Sequence, residues 1–409
     1  LQPRLQLSWD VRRDGTRFVQ VGGGAFRPQT LNWTTVNAFL GTGNQFADIT
    51  LQGTGVPTPD FVGYRTDPST VPGVPGSGPV APALLNVFGD DYRLPTIWKA
   101  NAAFRERIGA VSVGLNLLAS RTSRNYAYVD LNLRATPAFT LPEGRGVLVP
   151  AATIPANGRP DVNRARIDPS FGRVFQLVDV GEATNRAAIV DAILPLGTGG
   201  MVSASYTRNA TRDNLSFNCC NPVIGTPVPG DHRDLRGRLS PSDYDFRHKV
   251  VGVLQLPETF GVRFSARYEG QSGTPFSLVV GSDVNGDGQG NNDLAFVPDP
   301  DDPATPRAVA EAMRRVLANP DNLARDYIRA SLGGIARRNG GRNPWLTRLD
   351  VRASTFVPTR RGQRAELVVD VFNLPSLLDR RWGSVRTLGT RQTLLNVTGF
   401  DRARQAYVY

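Results

Sequence analysis

From Val262 to Glu269 the chain alternates without a break, with Val262, Phe264, Ala266 and Tyr268 on one parity and Arg263, Ser265, Arg267 and Glu269 on the other. Neighbouring side chains of a strand point to opposite faces, so this segment predicts a strand with one greasy wall and one wet wall. The same rhythm sets Leu5, Leu7, Trp9 and Val11 against Gln6, Ser8, Asp10 and Arg12. It returns in Ala365, Leu367, Val369 and Val371, which enclose Glu366 and Asp370. Over residues 110–134, Val111, Val113, Leu115, Leu117 and Ala119 share the parity of Ala127, Val129, Leu131 and Leu133. One strand across that span would measure about 80 Å at ~3.3 Å per residue, whereas a tilted membrane strand needs only about 9–11 residues. The surplus is expected to stand above a membrane as a tall wall, unless the strand breaks near residues 121–125. Two places resist the pattern: Ala187–Leu194 is apolar on both parities, and Arg17 falls on the parity of Val19 and Val21. Arg17 suits a lipid face only at the interface, where a long side chain can snorkel.

Tight turns and long polar insertions alternate between these segments. The turns fall at Asp14-Gly15, Ile108-Gly109, Pro195 to Gly200, Pro257 to Gly261 and Pro358 to Gly362, and the insertions cover roughly 27–94, 135–172, 210–244, 274–343 and 374 onward. Bacterial outer-membrane barrels join their strands by short periplasmic turns and longer outer loops. A soluble sandwich has no reason to sort its connections by length, and loops above about 15 residues are uncommon in compact soluble domains. The predicted fold is therefore all-β: an antiparallel transmembrane β-barrel wall of about ten strands with long extracellular loops.

Composition narrows this further. No apolar run approaches the ~18 residues of a membrane helix, which excludes a helical membrane protein. The net charge of +11 raises nucleic acid as a partner, but the cations are almost all scattered Arg, with Lys only at Lys99 and Lys249. Without a compact basic patch, no nucleic acid is expected, and the Arg excess suits a wet lumen or lipopolysaccharide phosphates. The adjacent Cys219 and Cys220 lack metal spacing and form either a strained vicinal disulfide or a solvated pair.

Near the end of the chain, Asn339-Gly340-Gly341-Arg342-Asn343-Pro344-Trp345 leads into Leu349-Asp350-Val351-Arg352, and Glu366 to Leu374 follows as Glu-Leu-Val-Val-Asp-Val-Phe-Asn-Leu before Trp382-Gly383. With Ser240-Pro241-Ser242-Asp243-Tyr244-Asp245-Phe246-Arg247-His248 and the segment 281–298, this succession resembles TonB-dependent receptors, specifically the Oar-like group with a carboxypeptidase-regulatory-like domain. The resemblance spans roughly 231–409. It implies a 22-stranded barrel with an N-terminal plug and a TonB-binding box, of which residues 1–409 would be the C-terminal part of the barrel, the plug, N-terminal domain and final strand being missing. The absence of a signal peptide or Met before Leu1 agrees with a fragment of a longer precursor.

Candidate chemistry is sparse. Asp283, Asn285 and Asp287 alternate around Gly286 as in loops that wrap calcium; position 12 of such a loop is Leu294, with Asp293 one residue early. An Asp/Asn/Gly-rich turn chosen for backbone freedom is the alternative. Thr305-Pro306 predicts the cap and first residue of a helix through about Leu317, with Val309, Met313, Val316 and Leu317 as its packing stripe, and Asn319-Pro320 a second start. His232 and His248 have no ligand set for zinc, and no nucleophile elbow or phosphate loop is present, so no enzyme activity is expected. Asp10, Arg12, Arg263, Arg267, Glu269, Asp350, Arg352, Glu366 and Asp370 are candidate lumen charges, because each would be costly against lipid.

The reading is thus an importer in the outer membrane of a Gram-negative-type bacterium. The resemblance implies outer loops that bind a scarce solute, peptide or glycan, with energy transduced by TonB through the region upstream. An adhesin or protein-export barrel without import is the alternative. Outer-membrane lipid, lipopolysaccharide and the TonB complex are the expected partners.

Overall fold

The computed structural model describes residues 2–28, 60–67, 83–216, 238–290, 292–358, 363–380 and 384–409, with 35–36, 38–39, 70 and 382. Cys219, Cys220, His232, Gly383 and most of the turn at Pro358 to Gly362 lie outside the described residues.

Ten strands form one antiparallel meander, each paired with its neighbours in chain order. They are β1 (Arg4–Asp10), β2 (Arg17–Phe26), β3 (Thr96–Ile108), β4 (Val111–Asp130), β5 (Phe171–Leu196), β6 (Gly200–Asp213), β7 (His248–Gln255), β8 (Val262–Gln271), β9 (Leu346–Pro358) and β10 (Arg364–Val371). Register carries the pleat from strand to strand. Ala266 of β8 stands opposite Leu254 of β7 and Val351 of β9, and Val351 opposite Val371 of β10. On the same face of the first strands, Leu7 lies opposite Val21, Val21 opposite Ala102, and Ala102 opposite Leu117. These apolar rows stay exposed: Leu5, Leu7, Leu117, Val190, Leu367 and Val369 are bare side chains on one face of the sheet. In water that face would be a severe liability; against hydrocarbon it is the solvated state. No helix among the described residues is long and apolar enough to cross a membrane.

Two aromatic levels bracket the greasy face. Trp9 lies opposite Val19 near the turn end, and Trp98 lies opposite Ala25 near the loop end. The six-residue step along β2 is about 20 Å at ~3.3 Å per residue, close to the ~25 Å apolar band of a bacterial barrel. Outward-facing charges sit at its margins. Arg17, the first residue of β2, pairs with Glu106, which Arg12 also approaches at 3.3 Å. Arg17 therefore meets a carboxylate partner at the turn end. At the loop end, His248 stacks between Tyr206 and Trp345 with ring centroids 6.0 and 5.8 Å apart, and Arg208 lies 3.1 Å from its Nε2.

Short connections occupy one end of the wall. Gly109 takes φ +60° in the two-residue link between β3 and β4, where a left-handed residue matches the strand twist. The long connections gather at the other end and build their own interior. Leu141, Val147, Val149 and Ile154 from one insertion pack with Phe276, Leu278, Val280 and Val297 from a second and with Phe400 and Tyr407 from the last. This cap holds the largest group of buried apolar side chains, because the wall itself has only one layer.

The tall strand of residues 110–134 is real but shorter and interrupted. Strand β4 ends at Asp130, and its pairing with β5 slips between Thr122 and Ala127, where Arg124 takes φ +61°. Gly181 of β5 fits this slip because a Cβ there would lie 2.6 Å from that of Asn125. Above the slip the environment changes. Tyr126, Tyr128, Phe175 and Leu177 form a buried cluster, and Ala127 packs with Leu215. A short strand, Ala83–Phe88, pairs in parallel with the start of β5 at this level. Asp130 ends β4 because its carboxylate accepts the N–H groups of Asn132 and Val174, both at 3.1 Å, and the Arg166 guanidinium at 2.8 Å. Leu133 turns into the cap core while Leu131 stays exposed.

The register also settles Ala187–Leu194. Val190 lines up with Leu115 and Tyr206 on the greasy face, and Ile189 with Asn116 and Thr207 on the wet one. The helices differ from expectation by small amounts. The first spans Arg307–Ala318 with Pro306 as its cap residue, since the Thr305 hydroxyl donates instead to the Asp299 carbonyl at 2.7 Å. The second starts only at Arg325, because Asn319 and Asn322 hold the intervening residues in turns.

A charge separates the two faces cleanly. Ala266→Arg on the greasy face is expected to cost about 2–4 kcal/mol, and Ser265→Arg on the wet face no more than about 0.5 kcal/mol. Urea unfolding of the full-length protein in lipid vesicles measures both, and equal costs would contradict the face assignment.

Candidate functional site

The wet face of β7 to β10 carries a ladder of ion pairs. Arg263 meets Glu366 across β9 at 3.0 Å, and its guanidinium lies over the Phe356 ring at 4.6 Å. Arg352 grips both oxygens of Asp370 at 2.6 and 2.8 Å. Arg267 and Lys249 share Glu269, at 2.8 and 2.6 Å, and Arg348 pairs with Asp350 at 2.9 Å. Arg263, Arg267, Glu269, Asp350, Arg352, Glu366 and Asp370 thus share one face and are all paired, joined by Lys249 and Arg348. These two escaped the sequence reading because each sits at the edge of its alternating run. The basic partners are exposed while Glu269, Asp350 and Asp370 are partly covered, so each pair contributes about 0–1 kcal/mol; their common effect is a hydrated, charge-balanced surface.

The other predicted charges behave differently. Asp10 has wet-face parity, but its carboxylate caps the first turn by accepting from the N–H groups of Arg13 and Gly15 at 3.0 and 2.9 Å. Arg12 lies past the end of β1, where strand parity no longer holds, and turns toward Glu106 on the greasy-face margin. It is not a lumen charge. A pair that periodicity missed, Arg105 and Asp191, meets at 3.1 Å by crossing over β4 at Gly114. A Cβ at Gly114 would lie 2.5 Å from Asp191 Oδ1, so the glycine makes room for the bridge. The lone acid in the apolar run 187–194 was the available signal. Toward the loop end, a groove of about 600 Å³ opens between β1 and β4, lined by Arg4, Gln6, Gly22, Lys99, Asn101 and Ser120.

Two of the segments that carry the family resemblance, 240–248 and 339–345, meet in space and, with the adjacent Arg338, lock the cap to the wall. Arg338, buried, donates to the Asp213 carboxylate at 2.7 Å and carbonyl at 2.8 Å and to the Ser240 hydroxyl at 2.9 Å. The Asn339 amide donates to the Pro241 carbonyl and the Asp243 carboxylate, both at 2.7 Å. Arg342 bonds the Asp245 carboxylate, which also accepts the Thr211 N–H at 2.8 Å. Gly340 and Gly341 lie under aromatic rings, with Cβ positions only 2.4 Å from Tyr327 and 2.5 Å from Phe276. The residue types of the motif are therefore those of a structural latch.

The acidic turn sits inside the cap. Asp283 accepts the N–H groups of Gly286 and Gly288, both at 2.7 Å, and Asp287 accepts that of Gln289 at 2.7 Å. Asp293 accepts the Val284 N–H at 2.9 Å and pairs with Arg145 at 3.1 Å. Burial, then the charges of Asp287 and Asp293, raises the Asp283 carboxyl well above the usual range. Burial also raises Asp293, opposed by Arg145. Among the described residues, no three His, Cys, Asp or Glu side chains converge as a metal-holding group.

Residues 1–377 match the model of the outer membrane beta barrel domain family, and the chain belongs to that family. The wall is a transmembrane one, and its location is the outer membrane. No curated protein matches the chain in sequence. Among solved structures it is similar to the outer membrane transporter YddB from Escherichia coli, at 10% identity and a TM-score of 0.49, over 91% of this chain and 36% of that one. It is also similar to the FrpB iron transporter from Neisseria meningitidis (F3-3 variant), at 9% identity and 0.43, over 91% and 34%. The copper transporter OprC aligns at 8% identity and 0.37, over 96% and 34%. The chain spans about a third of the length of each.

Arg338→Ala would strand the buried Asp213 carboxylate and is expected to cost about 3–5 kcal/mol. Limited proteolysis of the full-length protein from the outer surface reads this as new cleavage within 238–245; unchanged resistance would contradict the latch.

Proposed function

We propose that this chain is part of a TonB-dependent active importer of the Oar-like group, in which outer loops capture a scarce solute and energy from TonB opens a path along the lumen. The observation that carries the reading is the structured cap. Three insertions share one buried core at the loop end of the wall, which suits selective capture more than passive flow. The wet face supports it: paired charges and the groove beside Arg4 and Lys99 offer polar contacts to a plug or to a solute in transit. The sequence resemblance at residues 339–352 and 366–374 supplies the TonB dependence.

The wall also argues for more strands than these ten. Among the described residues, β1 and β10 each pair on one side only. A free edge leaves unsatisfied peptide groups, which hydrocarbon does not tolerate, so closure calls for further strands. We infer that residues 1–409 are the C-terminal part of a larger barrel that includes a plug.

Growth tests the function. Cells with and without the full-length gene are compared on limiting ferric chelates, oligosaccharides or peptides. Growth on one class is expected to fail both on deletion of the gene and on loss of TonB. Equal growth on every class, or uptake that survives without TonB, would overturn the importer reading and favour an adhesin or export barrel.

A further inference from the structure

We propose that the turn Asp283-Val284-Asn285-Gly286-Asp287, closed by the side chain of Asn292, binds a calcium ion within the extracellular cap. Asp283, Asn285 and Asp287 present oxygen-bearing side chains at alternate positions, with Gly286 at φ +74° making the sharp bend between them. The second observation is Asn292. It is 1% exposed, its Nδ2 donates to Asp287 Oδ2 at 2.7 Å, and its Oδ1 has no hydrogen-bond partner. A buried amide oxygen without a donor is costly, and this one belongs to an amide already in contact with a buried carboxylate.

The same Asp287 oxygen also accepts from Asn285 Nδ2 at 3.2 Å. Two amides therefore converge on one carboxylate oxygen. Half a turn of the Asn292 amide, whose oxygen bonds nothing, replaces its N–H donors with a carbonyl oxygen. With the Asn292 amide turned, its oxygen faces the Asp287 carboxylate, while the Asn285 oxygen keeps the Asp287 N–H at 2.9 Å. Calcium accepts six to eight oxygens, neutral carbonyls among them, at about 2.3–2.6 Å and in irregular geometry. Zinc would require nitrogen or sulfur, and magnesium a tighter octahedron.

Asp293, the acid that spacing alone offers, has another role in this arrangement. It is held by Arg145 and by the Val284 and Asn285 N–H groups, so it shapes the turn from behind. Arg173 approaches through the Gly288 carbonyl. The turn also joins two insertions, since the Leu148 N–H donates to the Asn285 carbonyl at 2.8 Å and Gly286 lies against Val149. An ion bound here would clamp the cap.

The test is calorimetric titration of CaCl2 into the full-length protein in detergent, after chelator treatment. One ion is expected to bind, with a dissociation constant of about 10⁻⁴ to 10⁻³ M, the range of extracellular calcium modules. Asp287→Asn is expected to weaken binding at least about tenfold and Asn292→Ala at least about fivefold, while Asp301→Asn on the exposed part of the same insertion leaves it unchanged. Calcium should also slow proteolysis of residues 281–295 in the unmutated protein, where magnesium at equal concentration does not. No binding by the unmutated protein, magnesium acting as well as calcium, or affinity retained in whichever of Asp287→Asn and Asn292→Ala folds would overturn the proposal.

Discussion

A peptide group in hydrocarbon has no water to bond with, and this one constraint organises the wall. Every N–H and C=O that crosses the lipid must find a partner on a neighbouring strand, so the strands run as an antiparallel ladder with short turns at one end. Once the ladder is fixed, the pleat assigns each side chain to lipid or to water, and the register copies that choice from strand to strand. The greasy rows through Ala266 and Val351 and the charged rows through Arg267 and Asp350 are two sides of one hydrogen-bonding solution.

The exceptions follow the same physics. Charges on the lipid side appear where the band ends, as with Arg17 and Glu106 near the turns and Arg208 beside His248 near the loops. Glycine appears where something must cross a strand, as Gly114 does beneath the Arg105–Asp191 bridge. Above the slip near Arg124 the strands leave the lipid, and their side chains become buried among one another. The extra strand length thus becomes scaffold for the cap.

A single-layer wall buries little, and the compact interior of this protein is built from its loops. Buried and half-buried arginines draw them together: Arg338 on Asp213, Arg342 on Asp245, Arg145 on Asp293 and Arg166 on Asp130. Each of these arginines is matched by a carboxylate, so the latches, like the charge ladder, join segments without adding net charge.

The sequence by itself determined the class of fold, the face of most strand residues and the sorting of short turns from long loops, because a period of two is a local property that any pair of neighbours reveals. It named seven charges of the β7–β10 ladder for the same reason, and lost Arg12 where the strand stopped and parity ceased to mean anything. Tertiary structure alone decided the rest. The faces of Ala187–Leu194 came from pairing with β4 and β6, since a run apolar on both parities carries no local signal. The latch between Arg338 and Asp213, residues far apart in the chain, and the gathering of Val149, Phe276 and Phe400 into one core depend on contacts between distant segments, and no periodicity encodes those.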